Sequence, residues 1–382
     1  MNYQGMLIHR KRLERGWSQE GLCKGICAVS YLSKIEQGKA APSEEILGLL
    51  FERLGVHVDH QVSTRASLLS EEAYELLFSG EFAALYKRIP EWKEEKHLAT
   101  EAGLDLLLLT QVLESGEALV DEALEACMSS RQLAMQRIYQ NRLDEAIHLM
   151  PSAYTYYWAG MDAYEKGHNP SVAIEYLLMA YELASREGAP RLMLNAKLYI
   201  GNCYSECRDI ENMKAHYKVA ERLAKALHDE QALESIAYNI AATQLETGDY
   251  AAAYEYFSTL SNANVMSLHK LAICCEKLGK VFEARDALDK AKGTECEYPS
   301  NNLAEKMCEL VRFRLDNPDY LVKENYGDML LDCFEECREQ LPIGYASFHL
   351  PWVLEWYTAN RLYKKAYELL TDFPVKADLK VL

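Results

Sequence analysis

The sequence predicts an all-α protein in two parts: a small N-terminal group of four or five short helices, then a long array of helical hairpins. Three observations carry this. Only 10 prolines fall in 382 residues, and β-branched runs are short. No stretch alternates apolar and polar residues in the manner of a strand. Gly, Asn and Asp instead punctuate the apolar segments at spacings suited to turns between antiparallel helices. At this length the chain exceeds one ordinary core, so more than one structural unit is expected.

The N-terminal elements follow in order from residues 7–56. Leu7, Ile8 and Leu13 suit a first helix ending at Gly16. Ser18 can cap a second helix through Leu22. A third carries Tyr31, Leu32 and Ile35 and stops at Gly38, and Pro42-Ser43 opens a fourth with Ile46, Leu49, Leu50 and Leu54 on its buried face. Four short helices in about fifty residues, the second and third close together, form the helix-turn-helix arrangement. Leu22, Leu32 and Ile35 are expected in its core, with Tyr31 partly so. Glu36 is expected to hold the unit together by pairing with an arginine such as Arg12.

Charge separates the two parts. The chain carries a formal −17, but residues 1–60 hold eight Lys/Arg against seven Asp/Glu, five of the eight lying between Arg10 and Lys24. Only this near-neutral segment could dock on phosphate; the rest is strongly acidic. The N-terminus has no apolar signal region, and no apolar run approaches eighteen residues, so a cytoplasmic protein away from membranes is expected. Even the most apolar run, Leu104 to Leu109, has Asp105 inside it. The 11 cysteines lack the spacing of a zinc site, and the pairs Cys23/Cys27, Cys203/Cys207 and Cys333/Cys337 read as buried thiols. No metal or other cofactor is expected. With no P-loop, G-x-G-x-x-G, H-E-x-x-H or G-x-S-x-G, the chain reads as a binding protein and not an enzyme.

Beyond residue 70 the sequence repeats loosely. In residues 238–260, Gly248-Asp249-Tyr250 makes a turn between two helices, followed by Ala253 and Phe257. Residues 268–291 have the same form, with Gly279, Ala284, Leu288 and Ala291. Residues 198–224 place Gly201 and Tyr204 in a first helix and Tyr217 and Ala220 in a second; residues 156–184 give Gly160, Gly167, Ala173 and Ala180. Small residues where paired helices touch, with aromatics between, resemble degenerate tetratricopeptide repeats. That resemblance implies a right-handed superhelix of stacked hairpins with a concave inner groove. The domain reading is therefore 1–62 for the helix-turn-helix unit, 63–72 for a linker, and 73–382 for the repeats, which would bind the ligand and dimerise.

The run SQEGLCKGICAVSYLSKIEQGKAAPS, residues 18–43, resembles the Cro/repressor (XRE) class of helix-turn-helix domains, through Gln19 and Ser33-Lys34-Ile35-Glu36-x-Gly38. Residues 26–36 are one residue shorter than the usual loop and helix. With the repeats behind it, the chain resembles the RRNPP family of peptide-sensing transcriptional regulators in its PlcR-like branch. Carried over, the resemblance directs Gln19, Val29, Ser30, Ser33 and Lys34 toward DNA, with Arg10, Arg12 and Lys39 as phosphate clamps. Ala28 stands where the class usually has a Ser or Thr cap.

The resemblance also implies a short linear signalling peptide in the groove, its backbone clamped by asparagines. One amide side chain offers both donor and acceptor to a peptide unit. The candidates are Asn202 and Asn239, on first helices of consecutive hairpins, then Asn195, with Tyr199, Tyr238 and Tyr164 as weaker ones. The expected partners are a palindromic double-stranded DNA operator and a homodimer mate, contacted near residues 345–370. Peptide binding would then alter the arrangement of the paired DNA-binding domains. The competing reading keeps the DNA-binding part and gives the repeats a protein partner instead of a peptide.

Overall fold

The computed structural model describes residues 3–56, 60–95, 101–114, 125, 128–166, 169–292, 294, 300–341 and 343–373. Among them are 21 α-helices, one short 3-10 turn and no strand, so the class is all-α. The chain divides into two compact units, Met1–Ala159 with Tyr176–Ala196, and Gly160–Glu175 with Lys197–Leu382.

The first unit begins with α1 (Tyr3–Glu14), α2 (Gln19–Cys23), α3 (Val29–Glu36) and α4 (Glu44–Arg53). Ser18 and Ser43 cap α2 and α4, each accepting a backbone N–H of the first turn. At α3 the N-cap is Ala28, with no side-chain bond, as its sequence foretold. Leu7, Ile8, Leu22, Leu32, Ile35, Leu50 and Leu54 form the core. Gly5 lets α1 touch α3: a Cβ there would lie 2.0 Å from the Ile35 carbonyl oxygen. Two apolar residues that mark the expected helices lie outside it. Leu13 is 56% exposed in the last turn of α1, and Leu49 faces away while its neighbours Leu50 and Phe51 are buried.

The helix α5 (His60–Ser79) runs through residues 63–72, the expected linker. With α6 (Phe82–Glu95), α7 (Glu101–Glu114), α8 (Ser130–Tyr139) and α9 (Leu143–Leu149) it encloses an apolar core around Leu77, Leu85, Trp92, Leu107 and Met135. Asp105 is buried here, 5% exposed. Its carboxylate accepts from Ser70 Oγ (3.1 Å) and Tyr74 Oη (2.8 Å) of α5 and from Gln132 Nε2 (3.0 Å) of α8. Arg131 lies 3.5 Å from the same carboxylate, its guanidinium over the Tyr74 ring. The helices α10 (Ala153–Glu165), α11 (Pro170–Glu187) and α12 (Pro190–Glu206) each contribute to both units.

The second unit continues with α13 (Ile210–Ala226), α14 (Glu230–Glu246), α15 (Tyr250–Phe257), α16 (Val265–Lys277), α17 (Val281–Ala291), α18 (Asn301–Asp316), α19 (Glu324–Gln340), α20 (Ile343–Ala359) and α21 (Tyr363–Asp372). Consecutive helices pack pairwise, and α14 also meets α16 and α16 meets α18, the stacking of first helices expected of hairpin repeats. Three turns share one construction. A left-handed residue (Arg208 φ 56°, His228 φ 53°, Gly248 φ 88°) precedes an aspartate (Asp209, Asp229, Asp249) whose side chain caps the next helix. The predicted small-residue contacts are present: Ala253, Ala284, Ala220 and Ala291 are buried. At Gly201 a Cβ would lie 2.2 Å from the buried ring of Tyr217. Gly201→Ala should therefore destabilise the second unit by about 1–3 kcal/mol through overpacking. A calorimetric melt matching the parent's would show that α12 and α13 are not in contact there.

Candidate functional site

Four of the DNA-directed candidates lie on one face of α3. On α3 the buried Leu32, Ile35 and Glu36 face inward, while Val29, Ser30 and Lys34 are exposed and Ser33 half-buried. That set, spaced i, i+1, i+4 and i+5, is one helix face. Ser33 Oγ accepts from Gln37 Nε2, whose side-chain oxygen accepts from the exposed Lys39 Nζ at 2.8 Å. Arg10 is tied to Glu14 on the same helix.

Arg12 is elsewhere. It is 6% exposed, and its guanidinium forks onto Glu36 (2.7 and 2.9 Å) and onto the Trp17 carbonyl. A phosphate contact is not available to it in this position; the predicted Arg12–Glu36 pairing is what the structure contains. Gln19 is half-buried and its Nε2 also donates to Glu36, at 2.8 Å, while His9 Nδ1 lies 3.0 Å away. Burial opposes ionisation of Glu36, but the hydrogen bonds from Arg12, Gln19 and His9 outweigh it and hold the carboxyl below its ordinary value.

The groove candidates separate into two groups. Asn202, Asn239, Tyr164 and Tyr238 line one cavity of about 310 Å³ in the second unit. Asn195 and Tyr199 are not among its lining residues; Tyr199 Oη donates to Glu165 and its ring meets Tyr164 edge-on. Asn202 and Asn239 come from α12 and α14 and touch: Asn239 Nδ2 donates to Asn202 Oδ1 at 3.1 Å. The same oxygen accepts from Tyr217 Oη at 2.6 Å. Below them Ser205 and Thr243 hydroxyls are 2.6 Å apart, and Thr243 donates to the Asn239 carbonyl.

Sequence reasoning missed the rest of this wall: Glu206, Arg208, Tyr217, Glu246, His269, Lys270, Tyr345, Phe348 and His349. A signal existed. Glu206 lies four residues after Asn202, and Glu246 seven after Asn239, on the same helix faces. Burial raises the Glu206 carboxyl to about 7, with Tyr164 opposing and Glu246 adding to the rise. Burial likewise raises Glu246, against the pull of Lys270, Arg208 and His349. His269 is pushed well below its usual range by burial and by the positive charge of Lys270. A second hollow, about 390 Å³, lies between α17 and α18. It has no such convergence of amides.

Residues 8–61 match the protein-family model described as Helix-turn-helix. This segment is a helix-turn-helix domain. It contains α3 and its exposed face, so the DNA-binding architecture read from residues 18–43 stands. No curated protein sequence matches the chain. Among solved structures, a Rap protein complexed with competence and sporulation factor is 16% identical, with a TM-score of 0.57, covering 81% of this chain and 98% of that one. At this identity the likeness is one of fold, and it holds over most of the chain. Weaker likenesses link the chain to PlcR of Bacillus thuringiensis in complex with the peptide PapR7 and DNA (17% identity, TM-score 0.31, covering 62% of this chain and 99% of that one). The apo quorum sensor NprR of B. thuringiensis is also similar (14%, 0.45, 97% and 96%). Among the described residues, no helix is long and apolar enough to cross a membrane.

Proposed function

We propose that this chain is a transcriptional regulator that binds an operator as a homodimer through its helix-turn-helix domains, and whose repeats bind a short linear peptide. Peptide binding would change how the two DNA-binding domains are presented. The observation that carries the peptide half is the meeting of Asn202 and Asn239 in one cavity, from successive hairpins. Paired amides can exchange their mutual bond for bonds to a peptide backbone, without demanding any side chain. The Rap protein of similar fold was solved with a factor bound, which supports the reading.

The DNA half is tested on the exposed face of α3. Gln19 is unsuitable as the probe because its amide supports Glu36. Ser30→Ala and Lys34→Ala should each weaken binding to a duplex selected from a random pool by the parent chain, by about 1–3 kcal/mol where a base contact is lost. Anisotropy titrations equal to the parent's would move the DNA face off α3. For the groove, Asn239→Ala should lower affinity for any retained peptide about tenfold to a hundredfold, since peptide groups lose partners worth about 1–3 kcal/mol each. Unchanged affinity would assign the asparagines to hairpin packing and favour a protein partner.

A further inference from the structure

One wall of the cavity is basic and unpaired. Lys270, on α16, is 8% exposed. Among the described residues its ammonium makes no ion pair or hydrogen bond; it lies 5.0 Å from the ring of Phe348 and 5.8 Å from that of Tyr238. Aromatic faces attract a cation but return only part of what burial of a charge costs. Its neighbour His269 is 1% exposed, and both ring nitrogens lack a hydrogen bond. Arg208 joins them at a turn where φ is 56°, in the left-handed region that favours glycine. Among the described residues its guanidinium reaches the Ser347 carbonyl, at 3.5 Å, and no carboxylate.

Glu206 and Glu246 line the same cavity but do not complete these cations: among the described residues neither carboxylate forms an ion pair with Lys270 or Arg208, and the Glu246 carboxyl still rises despite them. Two buried or half-buried cations on one wall call for an anion from outside. Size restricts what can bring it. About 310 Å³ is at the bottom of the range for ligand pockets, enough for one end of a peptide.

We propose that the cavity captures a carboxylate of the peptide, seated against Lys270 and Arg208, while Asn202 and Asn239 take the adjoining backbone. This rests on the peptide reading above. The carboxylate can be the peptide's own C-terminus or an Asp or Glu side chain, and both present the same two-oxygen acceptor.

The test uses the full chain and three pools of random heptapeptides: one without Asp or Glu and with a free C-terminus, the same pool amidated, and an amidated pool with one fixed Asp. Retained peptides are quantified by mass spectrometry after gel filtration. The free pool should be retained about tenfold or more above its amidated counterpart, and Lys270→Met should erase the difference. Should that variant not fold, Arg208→Gln replaces it. Retention of the fixed-Asp pool like the free pool also supports the anion site and makes the side chain its source. Equal retention of all three pools overturns the carboxylate anchor and leaves the peptide reading standing. Retention from none of them overturns both.

Discussion

Replacing Glu36 by Ala should cost the helix-turn-helix domain about 3–5 kcal/mol, because it strands the buried Arg12 guanidinium without a counter-charge. Gln19 and His9 lose their partner as well. A domain of some fifty residues has only about 3–8 kcal/mol in total, so most of the loss should appear as local unfolding. Hydrogen exchange of α1–α4 amides reads it directly; protection within about 1 kcal/mol of the parent's would refute the pair's structural role. The double replacement Arg12→Met with Glu36→Leu should recover much of the loss, since it removes both charges together. The same pair sets an acid limit. Glu36 ionises more readily in the folded domain than in the unfolded chain, so its contribution is complete above the ordinary carboxylate range and is lost as pH falls through its depressed folded value.

Asp105→Ala should destabilise the first unit by a similar amount, about 3 kcal/mol or more. It leaves the buried Ser70 hydroxyl, Tyr74 phenol and Gln132 amide without their common acceptor, each worth about 1–3 kcal/mol when unsatisfied and not strictly additive. Asp105→Asn keeps one acceptor oxygen and should lose about half as much. Because stacked hairpins open locally, the loss should concentrate in exchange rates of α5, α7 and α8. A uniform loss across both units, or none, would mean that this carboxylate does not pin α5 to its neighbours.

The fold was legible to the extent that local chemistry wrote it. Ser18, Ser43, Gly38 and the Gly248-Asp249 turn announce their own helix ends, and Leu32 and Ile35, three residues apart on α3, mark its core face. Arg208 and His228 announce nothing, since neither is a turn residue by type; their backbones take the left-handed shape because the hairpin geometry and the following aspartate cap require it. That is why the repeats look degenerate: the turn conformation recurs while its residue does not. Leu13 and Leu49 fit the apolar period of their helices, yet the domain is too small to cover every apolar position. Asp105 was visible only as an interruption in an apolar run, since its partners lie 27 to 35 residues away. For the candidate site, Asn202 and Asn239 could be found from repeat spacing. The basic wall could not, because His269 and Lys270 on α16 and His349 on α20 are brought together by stacking alone.

The bond between Asn202 and Asn239 makes entry into this cavity an exchange and not an addition. An apolar occupant would break an amide–amide contact and return nothing, losing about 1–3 kcal/mol for each group left bare. A backbone amide returns one donor and one acceptor for those it displaces, so the trade is nearly thermoneutral. On the peptide reading proposed above, the cavity would screen its visitors by hydrogen-bonding capacity before any side chain is read, and what distinguishes one acceptable ligand from another would come from charge and shape at its ends.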